Sequence, residues 1–334
     1  MAGNEYPKVS IIVAAYNSEH TIEECLKSIL ALDYSADSVE IIVMDGGSKD
    51  DTVQKAQKYA VKVISIRLNA PAAYNYAMKI ATHPVLGFID ADAKVQANWL
   101  RLLAPGLKET QVAGVSGSIE TWNNNNPWAR SIGYELKNRY QRLGKYTRRI
   151  ATMNLLMKKA VIEEVGGWDE TLPSQYDTDL GFRISAKGYR FAYDPRAVCY
   201  HFNRPTLKAY YRQQLQYGKN TLRLYFKHGS LAKGDEITDF GMNIQPVLLL
   251  AVSVSFLIGL VPFVRSLWYI TGLILVFMLV YFVYSAAKLA LKFHDYVAYR
   301  LVVLCFVRAF AWFVGAVITT ANYLLGKGRK KHSA

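Results

Sequence analysis

The sequence predicts an α/β fold, a mostly parallel sheet with helices on both faces, followed by a C-terminal bundle of transmembrane helices. Three observations carry this reading. Short apolar, β-branched runs at 9–15, 39–45, 61–66 and 85–90 alternate with helical patterns, and strands that are apolar throughout belong in a sheet covered on both faces. Two of these runs end in aspartate, at Asp45 and Asp90, and ligands bind such sheets beyond the carboxyl ends of the strands. Finally, hydrophobic residues make up 51% of the chain, but the long uncharged runs come only after Asp239. A soluble part is therefore followed by a membrane part.

The first strand lies in KVSIIVAAYN, and the helix after it carries Ile22, Leu26, Ile29 and Leu30 on one face. The strand VEIIVMD ends at Asp45 and leads through GGSKDDT into a helix over 53–59. A strand over 61–66, a helix over 72–81 and the strand VLGFID, ending at Asp90, follow. Residues 113–200 are mixed, with a short strand AGVSGSI, a solvated Asn-rich loop at 123–126 and a basic segment through Arg149. A helix over 160–165 stops at Gly166-Gly167, and one over 180–187 stops at Gly188.

Residues 246–264 and 267–287 are uncharged and long enough for a hydrocarbon core ~30 Å thick. A third span over 297–325 carries Arg300 near its start and Arg308 inside it. Arg308 is either buried against the other helices or reaches toward a headgroup or phosphate. Before these spans, residues 206–228 interleave basic and aromatic side chains. That pattern reads as an interfacial amphipathic helix pair, or alternatively as a solvated helix packed on the preceding domain. The expected organisation is a nucleotide-binding domain over 1–205, an interfacial segment over 206–240, a transmembrane region over 241–326 and a basic tail over 327–334.

The net charge of +14 fits an anionic membrane surface or a phosphorylated substrate. No nucleic-acid-binding signature accompanies the basic clusters, so nucleic acid is not an expected partner. Cys25, Cys199 and Cys305 are too few and too scattered for a disulfide framework or a zinc site. No cleaved signal is expected, since the only apolar stretch near the N-terminus is short and β-rich. These features point to a multi-pass protein of the cell membrane with a cytoplasmic catalytic domain. Three spans would then put the basic tail on the far side, against the positive-inside tendency.

Cleaving a sugar from a nucleoside diphosphate leaves a diphosphate anion, and a hard divalent ion held by carboxylates stabilises that charge. In FIDADA, Asp90 and Asp92 lie two apart at a strand end and so share a face. Each of Asp45 and Asp90 could equally be a turn or cap residue.

Read together, VSIIVAAYN, EIIVMDGGSKDDT, GFIDADA, GGWDETL and YDTDLGFRISAKGYR resemble, in order and spacing, the family 2 glycosyltransferases of GT-A fold across residues 7–205. The resemblance implies a nucleotide-sugar donor, UDP- or GDP-linked, and a divalent metal, Mg or Mn. By the same resemblance, Ala15 and Tyr16 border the nucleotide base, Asp45 hydrogen-bonds it, Asp90 lies by the ribose and Asp92 binds the metal. Asp177 falls at the position of the catalytic base, in a loop before a helix, with Asp179 as its rival. His201 is either a metal or diphosphate ligand or a structural histidine.

The chain also departs from the family. Tyr176 stands where relatives have Glu, and Tyr74-Asn75 where many have Arg-Asn. The stretch Gln213-Gln214-Leu215-Gln216-Tyr217 lacks the Arg and Trp of the processive synthases' Gln-x-x-Arg-Trp motif, although the adjacent Arg212 could serve the diphosphate. VSIIVAAYNSEH also lacks the glycine and arginine of the sugar nucleotidyltransferase loop. The expected activity is a membrane-bound, inverting, non-processive transfer of one sugar to a lipid-linked acceptor, a polyprenyl phosphate or a lipid-linked glycan. The alternatives are a processive polysaccharide synthase and a non-catalytic membrane scaffold that keeps the fold.

Overall fold

The computed structural model describes residues 6–325, which form two compact units. One comprises the chain up to Trp122 together with Arg139–Phe202, the other Asn123–Asn138 together with the chain from Asn203 onward. The basic tail over 327–334 lies outside the described residues.

The first unit opens with β1 (Val9–Ala15), α1 (Ile22–Leu30), β2 (Val39–Asp45), α2 (Thr52–Ala56), β3 (Lys62–Ser65), α3 (Ala70–Ile80) and β4 (Val85–Asp90). It continues with β5 (Ala93–Val95), α4 (Trp99–Leu103) and β6 (Val112–Thr121). Helix α5 (Pro127–Tyr140) follows, and then β7 (Tyr146–Thr147), β8 (Leu155–Lys158), α6 (Lys159–Glu164), α7 (Tyr176–Ala186) and β9 (Arg190–His201). The strands form one sheet in the order β3-β2-β1-β4-β8-β6-β9-β5, with β7 on β9. The first four are parallel, as are β6 and β9, whereas β8 runs antiparallel to both neighbours and β5 antiparallel to β9.

Alternation along the strands explains their unbroken apolarity. Val9, Ile11 and Val13 of β1 join one core cluster with Ile22, Cys25, Leu26 and Ile29 of α1. Ile12 joins a second cluster with Ile42, Phe88, Tyr74, Ala77, Leu180 and Ile184. Strand β1 thus buries both faces.

Several local expectations change. Cys25, not Leu30, completes the buried face of α1, and Leu30 is 47% exposed. Helix α7 begins at Tyr176, four residues earlier than the apolar pattern indicates. Asp177 therefore sits in its first turn rather than in a preceding loop. Gln175, at a left-handed φ of 61°, starts this helix, and the acidic first turn suits the positive end of the helix dipole. The Asn-rich stretch is not simply solvated. Asn123 is buried and exchanges two hydrogen bonds with the Asn203 backbone. Asn126 caps α5, accepting from the Trp128 and Ala129 amides at 3.0 Å with Pro127 opening the helix.

The second unit holds most of α5 with α8 (Leu207–Lys227), α9 (Phe240–Asn243), α10 (Gln245–Ile258), α11 (Leu267–Phe293) and α12 (Arg300–Leu324). Three stretches are long and apolar enough to cross a membrane: Phe240–Ile258, Leu267–Phe293 and Tyr296–Leu324. Residues 123–138 were expected within the N-terminal domain, yet they pack with these helices. Glu135 of α5 receives Arg308 Nη1 at 2.6 Å, and Asp295 receives the Tyr134 hydroxyl at 2.7 Å. Arg308 is thus buried against its neighbours.

Residues 206–228 form one helix rather than a pair, with the Thr206 side chain capping it at the Ala209 amide. Helix α8 lies against α12 where two glycines meet. A Cβ on Gly218 would fall 2.6 Å from the Trp312 Cα, and one on Gly315 would fall 2.6 Å from the Lys219 nitrogen. Side chains here would hold the helices apart.

Candidate active site

Parallel pairing brings the functional strand ends to one edge of the sheet. Ala15 is in register with Asp45, and Ala14 with Asp90. The loops after β1 and β2 are zipped together. The Asn17 amide donates to Ser48 Oγ at 2.8 Å, and the Lys49 amide donates to Asn17 Oδ1 at 2.9 Å. Ala15 is buried, whereas Tyr16 is 60% exposed. The Tyr16 ring lies 3.6 Å from where a Gly46 Cβ would be. An exposed aromatic ring over a glycine backbone offers a flat apolar surface of the kind on which a base stacks.

Asp45 is 1% exposed, and its carboxylate accepts from the Gly47 and Ser48 amides and from Ser65 Oγ. It therefore holds the turn after β2, and Gly47 supplies the positive φ of 86° that the turn needs. A carboxylate has about four acceptor positions, so a base contact would use the capacity these bonds leave.

Asp90 accepts the Tyr74 hydroxyl at 3.0 Å and hydrogen-bonds Thr152. Its carboxyl is pushed up to about 7, first by burial and then by the negative charge of Asp92, with Asp177 adding to it. Asp177 is itself raised above the usual carboxylate range by burial, against the opposing pull of Arg149. Three acidic groups from β4, the turn after it and α7 thus sense one another. A site that gathers like charge is costly to the empty protein and suited to a cation.

Asp92 and His201 converge because β5 pairs with β9. Ala93 is in register with His201, and the Phe202 amide donates to the Asp92 carbonyl at 2.8 Å. This sets Asp92 Oδ1 and His201 Nε2 3.5 Å apart. Adjacent ligands of an octahedral ion at ~2.1 Å would be separated by about 3 Å, so the pair fits a shared divalent ion. Among the described residues no group of three or more His, Cys, Asp or Glu is gathered for a metal. A two-ligand site is still the type that relies on substrate phosphate oxygens and water to complete its shell.

Asp179 is fully buried and paired with Arg183 Nε at 2.8 Å. Arg183 also donates to the carbonyls of Val165 and Gly167. This clamp ties α7 to the Gly166-Gly167 turn and gives Asp179 a structural task that Asp177 does not share. Arg212 lies exposed on α8, in the second unit.

Sequence reasoning marked Tyr74 only as a departure from the family pattern and missed the parts of Thr152 and Arg149. Tyr74 replaces a basic residue of many relatives, and that substitution was the one available signal. The neighbouring Asn75 pins the GGWDE turn, accepting from the Trp168 amide at 2.8 Å and donating to Glu170 Oε1 at 2.8 Å.

A mixed sheet with zipped loops after β1 and β2 and carboxylates at the ends of β2 and β4 has the GT-A fold. Residues 10–165 match the model of Glycosyl transferase family 2. Among curated relatives, Glycosyltransferase AglE of Haloferax volcanii is 25% identical over 227 residues, 66% of this chain and 74% of that protein. The probable glycosyltransferase YdaM of Bacillus subtilis is 28% identical over 67% of this chain and 57% of its own length. The poly-beta-1,6-N-acetyl-D-glucosamine synthase of Staphylococcus aureus is 24% identical over 65% and 55%. The chain thus spans little more than half of the latter two. The mannosyltransferase PcManGT from Pyrobaculum calidifontis, solved with GDP-Man and Mn2+, superposes with a TM-score of 0.61 at 19% identity. The match covers 95% of this chain and 88% of that one, a likeness of fold.

Proposed function

We propose that the protein is a membrane-bound, inverting glycosyltransferase that moves one sugar from a UDP- or GDP-sugar to a lipid-linked acceptor, a polyprenyl phosphate or a lipid-linked glycan. The observation that carries the reading is the convergence of Asp92 and His201, 3.5 Å apart, beside Asp90 and Asp177, whose carboxyls burial raises. That PcManGT was solved with GDP-Man and Mn2+ supports a nucleotide-sugar and a metal here.

In this reading Tyr16 stacks on the base, Ala15 lines its edge, Asp45 accepts from it and Asp90 faces the ribose. Asp92 and His201 would hold Mg or Mn, and the ion would supply positive charge to the departing diphosphate. Asp177, raised by burial, accepts the acceptor hydroxyl's proton as the oxygen attacks the anomeric carbon. Attack opposite the leaving group inverts the configuration, so an α-linked donor gives a β-linked product. A phosphate acceptor is already ionised and needs no base. The apolar helices of the second unit motivate a lipid-linked acceptor.

The test is a screen of nucleotide-sugars for metal-dependent nucleoside diphosphate release with membrane lipid extract present. NMR of the product's anomeric proton would follow. Transfer to soluble acceptors alone would remove the lipid half of the proposal, and a product retaining the donor's configuration would remove the single-displacement mechanism. The similarity to a poly-beta-1,6-N-acetyl-D-glucosamine synthase favours, as a second reading, processive chain extension. Against it, Gln214 is engaged by the Trp312 indole at 3.0 Å, within a stretch that lacks the Arg and Trp of the processive motif. Products longer than one added sugar would decide for the second reading.

A further inference from the structure

Helices α10, α11 and α12 share length and apolarity but differ in what surrounds them. The share of buried residues rises from 11% in the first candidate span to 22% in the second and 44% in the third. On α10, Val254, Phe256 and Leu257 are exposed on different sides of the helix, and on α11 so are Leu273, Leu275 and Phe277. On α12, before its last turn, the large exposed apolar residues are Val303, Phe310 and Val317. These are spaced by seven, two helical turns, and so lie along one narrow line.

Helices α10 and α11 cover part of the remaining surface of α12, as where the Phe282 ring meets Phe306 at 4.8 Å, and polar helices cover another part. From α5, the Trp128 ring meets the Arg300 guanidinium at 4.7 Å, and Glu135 meets Arg308 at 2.6 Å. From α8, Tyr211 stacks on Phe310, Gln214 accepts from Trp312, Gly218 abuts Gly315, and the Lys219 carbonyl accepts from Thr319. Contacts advance together along both chains, so α8 and α12 run side by side in the same direction. Helix α8 carries Lys208, Arg212, Lys219, Arg223 and Lys227 and no acidic residue. Were α12 to cross the bilayer, α8 would be drawn in beside it, with its basic side chains in hydrocarbon that cannot solvate them.

We propose that the membrane is crossed only by the α10–α11 hairpin, and that α12 lies in the plane of the membrane surface. The line Val303, Phe310 and Val317 then faces lipid, while the basic residues of α8 lie near anionic headgroups. The 19 residues Phe240–Ile258 span about 28 Å as a helix, enough for the hydrocarbon core. The chain leaves α12 on the same side as it enters α10, so the basic tail over 327–334 shares that side. This removes the conflict with the positive-inside tendency that three crossings create.

The native cysteines are buried, so introduced thiols can be read separately. Lys233→Cys before α10, Ser266→Cys in the hairpin turn and Leu325→Cys after α12 are placed in the full chain in sealed membrane vesicles. They are then labelled with an impermeant maleimide. Positions 233 and 325 should label from one face and position 266 from the other. Labelling of 325 together with 266 would overturn the proposal, as would labelling of 266 together with 233. Spin labels at positions 303, 310 and 317 should report one shallow depth, and a depth that grows steadily along the helix would equally overturn it.

Discussion

The two units handle charge in opposite ways. In the first, Asp90, Asp92 and Asp177 approach one another closely enough that burial and mutual repulsion hold Asp90 up near 7. In the second, charges face their opposites: the buried Arg308 meets Glu135 at 2.6 Å and the half-buried Arg130 meets Asp295 at 3.2 Å. Opposite charges so matched hold helices together, whereas like charges gathered together invite a cation that the protein itself does not supply. The difference separates groups that serve chemistry from groups that serve architecture, and the following substitutions probe it.

Asp92→Asn should lower turnover the most, on the order of 10³-fold, by weakening charge stabilisation on the leaving diphosphate. The variant should unfold at an unchanged temperature. Calorimetric titration with Mn would show weaker binding, and full activity in a folded variant would make the triplet architectural. Asp177→Asn should cost about 10²- to 10³-fold if the acceptor is a hydroxyl, with donor binding near normal. Retained activity would instead identify a phosphate acceptor, so single-turnover assays of this variant also sort acceptor class.

Glu135→Ala reverses the pattern. It leaves Arg308, which is 2% exposed, without its carboxylate, and breaking a buried pair costs about 3–5 kcal/mol. Thermal unfolding in detergent should show a large loss of stability, with activity per folded molecule much less affected. A variant that unfolds normally but is inactive would blur the distinction drawn here. Tyr74→Phe should be milder, removing one hydrogen bond to Asp90 worth about 1 kcal/mol. A rise of roughly fivefold in donor KM with little change in kcat is expected from steady-state kinetics.

A further effect is that of pH. Because burial and Asp92 hold the Asp90 carboxyl up to about 7 in the metal-free protein, Asp90 is protonated at pH 6. Metal binding favours its carboxylate and so releases a proton. Metal affinity should therefore rise from pH 6 to 8 and level off above, by up to about tenfold per pH unit below the pKa. The same shift makes the metal-free protein bind more protons folded than unfolded between roughly pH 4 and 7. Its contribution to stability falls as pH rises through that window. Titrations at three pH values would check the affinity trend.

Much of the first unit was readable without coordinates. Val85–Asp90 matches its apolar run residue for residue, and the strand-end aspartates followed from where apolar runs stop. Helix starts were less legible. The onset of α7 at Tyr176 depends on Gln175 adopting a left-handed backbone, which no apolar period encodes. Helix α5 was hidden because its buried partners lie over a hundred residues away in sequence, as Glu135 and Arg308 do.

By itself, then, the sequence determined the order of strands and helices from β1 to β4, the positions of the strand-end carboxylates and the existence of an apolar C-terminal region. These follow from local periodicity and composition, which each segment carries alone. Only the tertiary structure decided that β5 pairs with β9 to bring His201 to Asp92, that Asp179 is bound up by Arg183 while Asp177 is not, and that α12 is sheathed by α5 and α8. Those outcomes depend on which distant segments meet, and the energy of a buried charge is set by the neighbour it finds rather than by the residues beside it in the chain.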